Sequence, residues 1–597
     1  MPDSVNKNAD GVVRISVFSD GNPISDSIFG LISVYIYKSV NKIGKATLIF
    51  EAGDISNENI PESEDDTFAV GKKIRIEAGY EEDENPVFEG IIITHKVVLG
   101  DNENSYLEIE CRDYAYLTTL TRKNNVFSNK KESQAIQTIL GHYSDLIPSV
   151  DATNTQYHNL VQYYCSDWDF VLSRADANGF VIVTEGKNIY VKKPDLSATP
   201  KLKVTYGIDL IEFHGELSAS EQLAGFRAVA WDPASQKTVS VDGVSPSLND
   251  QGSDSVGELS EAVGNETMIL QTDMYAEESA LQAWADSQRL KAGISRILGY
   301  CKFQGNAKAG HGGTIELEGF GKRFNGIAYI GYVEHEIKNG DWITTAGLGL
   351  SFENITDKPD VVAPPASGFL PGIKGLHIGK ITKIDEDPAK ENRIQVEFSI
   401  LGCEINTIWA RLSNFWASSN YGAFFIPDIG DEVILGFFNE DPCQPVILGS
   451  LYSSKQKPVD ELTTDNTIRS ITTKSNMRIE FEEEKKIITI QTPGKNMVTL
   501  SDENKGIQLV DQNSNKIIMN DSGIIIESAK DLTLKAQTNI IIDAGAKLDM
   551  KAKSDLQLKG MNVKVGADME LSLKGNAKAE LNASGQTVVK GAMVMIN

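Results

Sequence analysis

Apolar residues separated by a single position recur every eight residues along the C-terminal part of the chain. With one seven-residue step before the sixth, the pairs are Ile524/Ile526, Leu532/Leu534, Ile540/Ile542, Leu548/Met550, Leu556/Leu558, Val563/Val565, Leu571/Leu573, Ala579/Leu581 and Thr587/Val589. Because successive side chains of a strand point to opposite faces, residues two apart share a face. Each pair therefore predicts a short β-strand with one face turned inward.

The residue two positions after each pair is small. These predicted corners are Ser528, Ala536, Ala544, Ala552, Gly560, Ala567, Gly575, Ala583 and Gly591. A small side chain suits a tight bend at which another backbone comes close. A strand followed by a corner at a fixed period is typical of stacked repeat architectures.

One chain offers only two inward side chains per repeat, too few to cover its own apolar stripe. Three chains wound about a common axis would bury the stripe and leave almost no free sheet edge. We therefore predict a trimeric intertwined β-helix, or β-prism, that forms a stiff needle. A single-chain β-solenoid or an amyloid-like tract is the alternative interpretation.

The N-terminal half is predicted to be mainly β with a few helices. Runs that alternate apolar and polar residues are Lys73–Gly79, Ile91–Leu99 and Tyr106–Cys111. Helices are predicted at about 131–144, 168–178 and 277–291. A polar stretch rich in Ser, Gly and Asp, 243–265, is predicted to be a mobile loop.

Changes in composition divide the chain into segments. A stretch with Pro and Ala at 356–372 predicts a linker. Five short strands with turns between them are predicted after it, which suits a small Greek-key barrel of the OB type. The predicted order is an N-terminal domain (1–355), the linker (356–372), the barrel (373–452), a connector (453–465) and the needle (466–597).

The chain has 597 residues and a formal net charge of −26. Residues 524–597 contain ten lysines and eight acidic residues, so the negative charge lies in the preceding body. This balance argues against a nucleic-acid surface, which needs a basic patch. The five cysteines have no CxxC spacing, so neither a zinc site nor a disulfide framework is predicted. Neither a signal peptide nor a membrane-spanning helix is expected.

Several motifs resemble those of a known family, the VgrG spike proteins. The family's barrel is matched by Ile408–Arg411, Gly422–Pro427, Gly430–Val433 and Asp441–Tyr452. The residues that carry the barrel motif are Trp409, Gly430, Asp431, Glu432, Asp441, Pro442, Pro445 and Gly449. Gln162-Tyr163, Ser166–Phe170, Arg174 and Gly179 are similar to a signature of the family's hub domain, although Tyr164-Cys165 and Ala175–Ala177 depart from it.

The resemblance implies a homotrimeric spike of a contractile injection machine, most closely that of type VI secretion. Residues 1–355 would form a hub with two barrel-like lobes per chain, seated on a hexameric tube of the Hcp type. Baseplate proteins, effector or adaptor proteins and, transiently, a target-cell envelope would be the other partners. The protein would be made in the cytoplasm and ejected.

The needle is predicted to end in an apolar tip. Its last residues are Met593, Val594, Met595, Ile596 and Asn597. Three copies would form a blunt apolar triangle, a kind of exposed patch that marks an interaction site. The resemblance implies a conical PAAR-type cap at this end. A frayed terminus is the alternative, and an iron tip is not expected because no histidine follows His377.

Candidate chemistry has a structural explanation in each case. The seven histidines fit no zinc motif, and Gly310–Gly313 predicts a turn rather than an oxyanion loop. Asp167 and Asp169 are predicted to lie at the N-terminal end of a helix rather than to act as an acid–base pair. We therefore expect no enzyme, no cofactor and no metal site.

Three other classes of protein stay open. The spike of an extracellular phage-like particle or of a phage tail shares the same parts. A trimeric adhesin or tail fibre would use the β-prism to display loops, but the repeats contain no insertions. An enzyme in the N-terminal half is the third alternative.

Overall fold

A computed structural model describes residues 2–7, 11–24, 29–53, 59–81, 83–100, 105–273, 275–398 and 406–596. The chain divides into two units, one up to Leu451 and one from Tyr452 onward. Each unit is described by itself below.

The first unit is built on a large mixed sheet. Its early strands are β1 (Asp3–Ser4), β2 (Val13–Ser19), β3 (Asn22–Pro23), β4 (Leu31–Ser39), β5 (Lys45–Glu51), β6 (Lys73–Tyr80), β7 (Asp83–Val98), β8 (Tyr106–Arg112), β9 (Arg122–Lys131), β10 (Ile147–Val150) and β11 (Gln156–Ser166). The next strands are β12 (Val181–Glu185), β13 (Asn188–Lys192), β14 (Leu202–Thr205), β15 (Leu210–Leu217), β16 (Gly225–Asp232), β17 (Lys237–Asp242), β18 (Thr267–Thr272), β19 (Ile297–Gln304), β20 (Thr314–Glu318), β21 (Gly326–Lys338) and β22 (Asp341–Leu348).

Strand order in the large sheet is β1-β14-β20-β21-β4-β5-β8-β7-β6-β2-β3, and β22, β19 and β15 extend it from β21. Smaller sheets have the orders β10-β13-β12, β11-β9 and β17-β16-β18. Alternation along the strands places apolar side chains in the core, where Ile36, Leu48, Phe50, Ile76 and Trp342 are fully buried. The strands predicted at 73–79, 91–99 and 106–111 are confirmed as parts of β6, β7 and β8.

Five α-helices lie in the first unit as described. They are α1 (Pro61–Glu64), α2 (Glu132–Leu140), α3 (Asp167–Ala177), α4 (Val256–Ala262) and α5 (Glu278–Ile294). The three predicted helices are confirmed as α2, α3 and α5. The prediction of a loop throughout 243–265 is wrong, because α4 lies within it. Ser255 caps this helix and forms a reciprocal capping box with Glu258, a signal present in the sequence.

The predicted OB-type barrel is confirmed as a closed sheet. Its strands are β23 (His377–Lys383), β24 (Ile394–Glu397), β25 (Thr407–Leu412), β26 (Glu432–Phe437) and β27 (Pro445–Ser450), in the order β23-β24-β25-β27-β26. Ile381, Val396, Ala410, Leu435 and Ile447 fill its interior. Closure pairs every strand on both sides, so the barrel presents no sheet edge.

The second unit begins with an antiparallel meander. Its strands are β28 (Ile468–Thr472), β29 (Arg478–Glu482), β30 (Ile487–Gln491), β31 (Met497–Ser501), β32 (Gly506–Val510), β33 (Lys516–Asn520) and β34 (Gly523–Glu527), each paired with the next. Five-residue loops begin at 473, 492 and 511, so the hairpin recurs every nineteen residues. In each loop the first backbone N–H donates to the carbonyl of the fifth residue.

Beyond Glu527 the structure assigns no strand to the described residues of the repeat segment, 528–596. This differs from the prediction of a short strand at each apolar pair. The reason is geometric, because a strand is defined by hydrogen bonds to a neighbouring strand, and an intertwined arrangement takes its neighbours from other copies.

Candidate functional site: an unpartnered apolar face

One face of the β28–β34 meander is apolar in every strand from β29 to β34. The strand register places two rows of side chains on this face, which we call the apolar face: Ile479, Ile490, Val498, Leu509, Ile517 and Ile526, and beside them Phe481, Ile488, Leu500, Ile507, Met519 and Ile524. On the opposite face the central row begins with Glu480, Thr489, Thr499 and Gln508. This row continues with Ile518 and Ile525, so the centre of the opposite face is polar only from β29 to β32.

The apolar face is not covered within its own chain. Ile490 is 46% exposed, Phe481 41% and Leu500 40%. A groove of about 600 Å³ follows the first row and extends to Leu532. A sheet with one apolar face is stable only when another layer buries that face, so these side chains define an interaction surface.

The apolar face continues into the repeat segment. Ile524 and Ile526 belong both to β34 and to the first eight-residue pair. Every Leu, Ile, Met and Val of the later pairs is more than half exposed, up to 81% for Leu573. A single apolar stripe therefore runs from β29 through the last pair.

The chain bends immediately after each of the nine predicted corner residues. The bends are at 529–530, 537–538, 545–546, 553–554, 561, 568–569, 576–577, 584–585 and 592–593. Ser528 donates from its hydroxyl to the backbone carbonyl of Asp531 (3.0 Å), which ties the first bend. At Gly575 a Cβ would lie 2.2 Å from the carbonyl oxygen of Lys578, so that bend has no room for a side chain.

The predicted tip is exposed. Met593, Met595 and Ile596 are 79%, 83% and 91% exposed, and Val594 is about half exposed. Asn597 lies outside the described residues. The end of the apolar stripe is therefore as apolar and as exposed as the rest of the stripe.

Residues of the barrel motif lie in the strands and turns of the barrel. Trp409 is in β25, Glu432 begins β26, and Pro445 and Gly449 are in β27. Gly430 has a φ of +96° and donates its N–H to the carbonyl of Ile381 (2.9 Å), which ties the turn before β26 to β23.

Two backbone N–H groups hold the turn before β27. Asp441 accepts through its side chain from Cys443 N–H (2.8 Å) and through its carbonyl from Gln444 N–H (2.9 Å). Pro442 lies in the same turn, and Asp431 accepts through its side chain from Asp428 N–H (2.8 Å) in the turn before β26. These motif residues thus stabilise the turns that connect the barrel strands.

The loop between β25 and β26 exposes a group of aromatic side chains that was not predicted from the sequence. Phe415 is 82% exposed and Phe424 87%, and Trp416, Tyr421 and Phe425 are also exposed. Backbone hydrogen bonds hold the loop, with Ala423 N–H donating to Trp416 and Ser418 N–H to Tyr421. The clustering of five aromatic residues within this short segment was the available signal.

The hub signature forms a structural network around α3. Ser166 is the N-cap and accepts from Asp169 N–H (3.0 Å), which confirms that the two acids lie at a helix start. The buried Asp167 carboxylate accepts from Lys123 (2.6 Å), Tyr143 (2.6 Å) and Gln162 (2.8 Å). Burial disfavours its ionised form, but these hydrogen bonds outweigh that effect and hold the pKa of Asp167 below its ordinary value.

The remaining candidate chemistry is dispersed. Gly310–Gly313 is a turn, closed by Gly313 N–H donating to Gly310 (3.3 Å). Among the described residues, no three His, Cys, Asp or Glu side chains are grouped so that they could hold a metal ion. Within that same part of the chain, no helix has both the length and the apolar character needed to cross a membrane.

Comparison with known proteins follows the order of these segments. Residues 9–339 match the family described as the Alg8 N-terminal domain. Residues 377–452 match the type VI secretion system/phage-baseplate injector OB domain, and residues 487–597 match the phage baseplate V C-terminal trimerisation domain. Two of the three matched domains are thus domains described from phage baseplates, one of them also from type VI injectors.

The chain belongs to the family of the Alg8 N-terminal domain, and it is similar to VgrG spike proteins of type VI secretion. A relative named type VI secretion system spike protein VgrG1b, from Pseudomonas aeruginosa, is 22% identical over 442 residues, which cover 66% of this chain and 56% of that protein. The chain thus spans little more than half the length of this curated relative.

Two further similarities are more limited. The actin cross-linking toxin VgrG1 of Vibrio cholerae is 39% identical over 82 residues, covering 14% of this chain and 8% of that protein. The crystal structure of the prophage MuSo2 43 kDa tail protein from Shewanella oneidensis is 11% identical and superposes with a TM-score of 0.42, covering 56% of this chain and 98% of that chain. Nothing about function follows from a likeness at that level.

Proposed function

We propose that the chain is a non-enzymatic, homotrimeric, membrane-puncturing spike of a contractile injection machine of the type VI secretion kind. The observation that carries this proposal is the apolar stripe, uncovered in one chain from β29 to the last repeat. The match of 487–597 to a trimerisation domain supports three copies as its cover. Three-fold packing would bury the stripe on the axis and leave the polar face outside.

A mechanical role follows from that arrangement. Each protomer would contribute strands that pair with those of its neighbours, so the needle would have few free edges and would resist bending and unfolding. Contraction of a surrounding sheath would drive this needle through a target envelope. The work would be done by the machine, and the spike would supply stiffness rather than chemistry.

The partners belong to the proposal. Residues 1–355 would form the hub seated on a hexameric Hcp-type tube and contact baseplate proteins, 373–452 would form the neck, and 466–597 the needle. Met593–Ile596, with Asn597, would seat a PAAR-type cap, which the exposed apolar tip supports. Effector or adaptor proteins would travel on the spike. The protein would be made in the cytoplasm and ejected.

Electron microscopy of the purified full chain tests this function. Negatively stained particles should show a wide three-fold head from which a single thin shaft extends. Particles without a shaft, or particles the size of a single chain, would refute the proposal. A peptidoglycan-hydrolysis assay on the same sample should show no activity, and hydrolysis would contradict a purely mechanical role.

The runner-up is the spike of an extracellular phage-like particle or phage tail. The description of the matched OB domain covers both type VI systems and phage-baseplate injectors, which keeps this candidate open. The tube protein that co-purifies with the chain distinguishes them. A trimeric adhesin or tail fibre would bind no tube protein.

A further inference from the structure

A polar cavity in the first unit plays no part in the proposed function. It has a volume of about 450 Å³ and lies where β4 and β7 of the large sheet meet the β12–β13 hairpin and the segment between β19 and β20. Lys38, Asp113, Glu185, Lys201 and His311 are among its lining residues. The cavity therefore gathers charged groups from distant parts of the chain in one place.

His311 is a buried imidazole without a partner. Its side chain belongs to a residue that is only 3% exposed, and neither ring nitrogen has a hydrogen-bond partner in the described structure. Burial, and then the charge of Lys38, lower the pKa of His311 to about 3, so the ring is neutral at physiological pH. A neutral imidazole carries one N–H, and a buried N–H without an acceptor is costly. An occupant of the cavity would supply that acceptor.

Lys38 brings a second donor to the cavity, where it is half-buried. It lies on β4 between the buried Ile36 and Val40, and its side chain makes no hydrogen bond or ion pair with any residue that the structure describes. Burial lowers the pKa of Lys38, and the charges of Glu185 and Asp113 act in the opposite direction. A cation in such a place is stabilised by an anion within reach.

The nearby carboxylates do not fill this need. Asp113 accepts from the backbone N–H groups of Gly44 (2.5 Å) and Ala115 (2.9 Å) and from the Thr184 hydroxyl (2.9 Å). Three of its roughly four acceptor positions are thus taken by groups other than Lys38. Glu185 is exposed and makes no ion pair with Lys38. Lys38 and His311 are therefore the cavity donors for which the described protein residues provide no hydrogen-bond acceptor.

We propose that the cavity binds a small phosphate-type oxyanion, with the Lys38 ammonium and the His311 N–H as donors. The exposed Lys201 adds positive charge to the same cavity. Glu185 favours an oxyanion that still carries a proton, because a hydroxyl of hydrogen phosphate can donate to its carboxylate, whereas sulfate has no proton to donate at neutral pH. A phosphate monoester presents the same oxygens, but with a second pKa of about 6 it is mostly a dianion without that proton at pH 7. Free hydrogen phosphate is therefore the better match.

Calorimetric titration of the full chain in a phosphate-free buffer tests the proposal. Inorganic phosphate should bind, whereas sulfate and glycerol 3-phosphate at pH 8, which both lack the proton, should each bind at least tenfold more weakly. Absence of phosphate binding, or equal binding of sulfate, would overturn the assignment.

Two variants locate the site. Lys38→Met and His311→Phe should each weaken phosphate binding at least tenfold, whereas Lys338→Met, an exposed lysine of β21, should leave it unchanged. Because Lys38→Met removes an uncompensated charge, we expect that variant to stay folded. Phosphate should raise the melting temperature of the parent chain but not that of Lys38→Met. Equal affinities in the parent and both cavity variants would refute the site, whatever the fate of the proposed spike.

Discussion

At the scale of single residues, glycine is required at only some of the bends. At Gly575 an added Cβ would meet the Lys578 carbonyl oxygen at 2.2 Å, whereas at Gly545 nothing lies within 4 Å. Gly575→Ala should therefore destabilise the needle by about 1–3 kcal/mol per chain, the usual cost of adding a carbon atom where there is no space for it.

The matched variant Gly545→Ala should be neutral or slightly stabilising, since it restricts only the unfolded chain. Unheated gel electrophoresis in SDS, over a range of temperatures, measures the loss of the oligomer for both variants. Equal melting of the two would mean that the bend at 576–577 does not constrain the assembly.

Asp167 carries a second prediction at this scale. Its hydrogen bonds hold its folded-state pKa below the ordinary value of 3.8, so they stabilise the fold above that value and the benefit is lost as pH falls through the lowered pKa. Asp167→Asn should cost about 1–3 kcal/mol near pH 7, a typical range for hydrogen bonds to a charged group.

Urea unfolding of the full chain, followed by a spectroscopic signal that reports on the first unit, measures this cost. The difference between parent and variant should narrow as the pH is lowered toward about 3. Asp169→Asn, which loses only its contact with the Ser166 hydroxyl, is the matched control on the same helix. A difference that stays constant with pH would show that the Asp167 charge does not contribute.

At the scale of elements, the apolar face predicts opposite outcomes for neighbouring residues. Val498 lies on that face of β31, and Thr499 beside it points to the polar face. Val498→Glu should prevent association, because three buried carboxylates would meet without partners. Thr499→Glu should leave association intact.

Size-exclusion chromatography of the two variants at equal concentration checks this prediction. If both variants elute like the parent, the apolar face is not the surface between copies. If both variants dissociate, both faces of the sheet contact other copies, and not the apolar face alone.

Elements also show what the sequence could and could not predict. The strong alternation of β6 to β8, the cap Ser166 and the apolar periodicity of α5 are local signals, and each predicted its element. Helix α4 was missed because its polar composition outweighed the capping box at Ser255 and Glu258. The apolar face of β29–β34 was missed because its nineteen-residue hairpin period differs from the eight-residue period that follows.

The Lys38–His311 cavity lay beyond sequence reasoning for a different reason. Its residues come from six separate segments that only the tertiary fold brings together. The residues next to Lys38 in the sequence form no pattern that would distinguish it from any other lysine in a strand. In contrast, the exposed tip and the bends after the small residues follow directly from the repeat.

At the scale of the whole molecule, the central claim is that the apolar stripe needs three chains. The first unit buries its own core, as Ile36, Leu48 and Trp342 show, whereas the second leaves large apolar side chains such as Leu573 exposed. The first unit thus has a core of its own, whereas we expect contacts between copies to bury the apolar side chains of the second.

Light scattering coupled to size-exclusion chromatography tests that claim most directly. We expect a single species of three times the 65.3 kDa chain, about 196 kDa, that persists on dilution. A folded, heat-resistant species with the mass of one chain would contradict it.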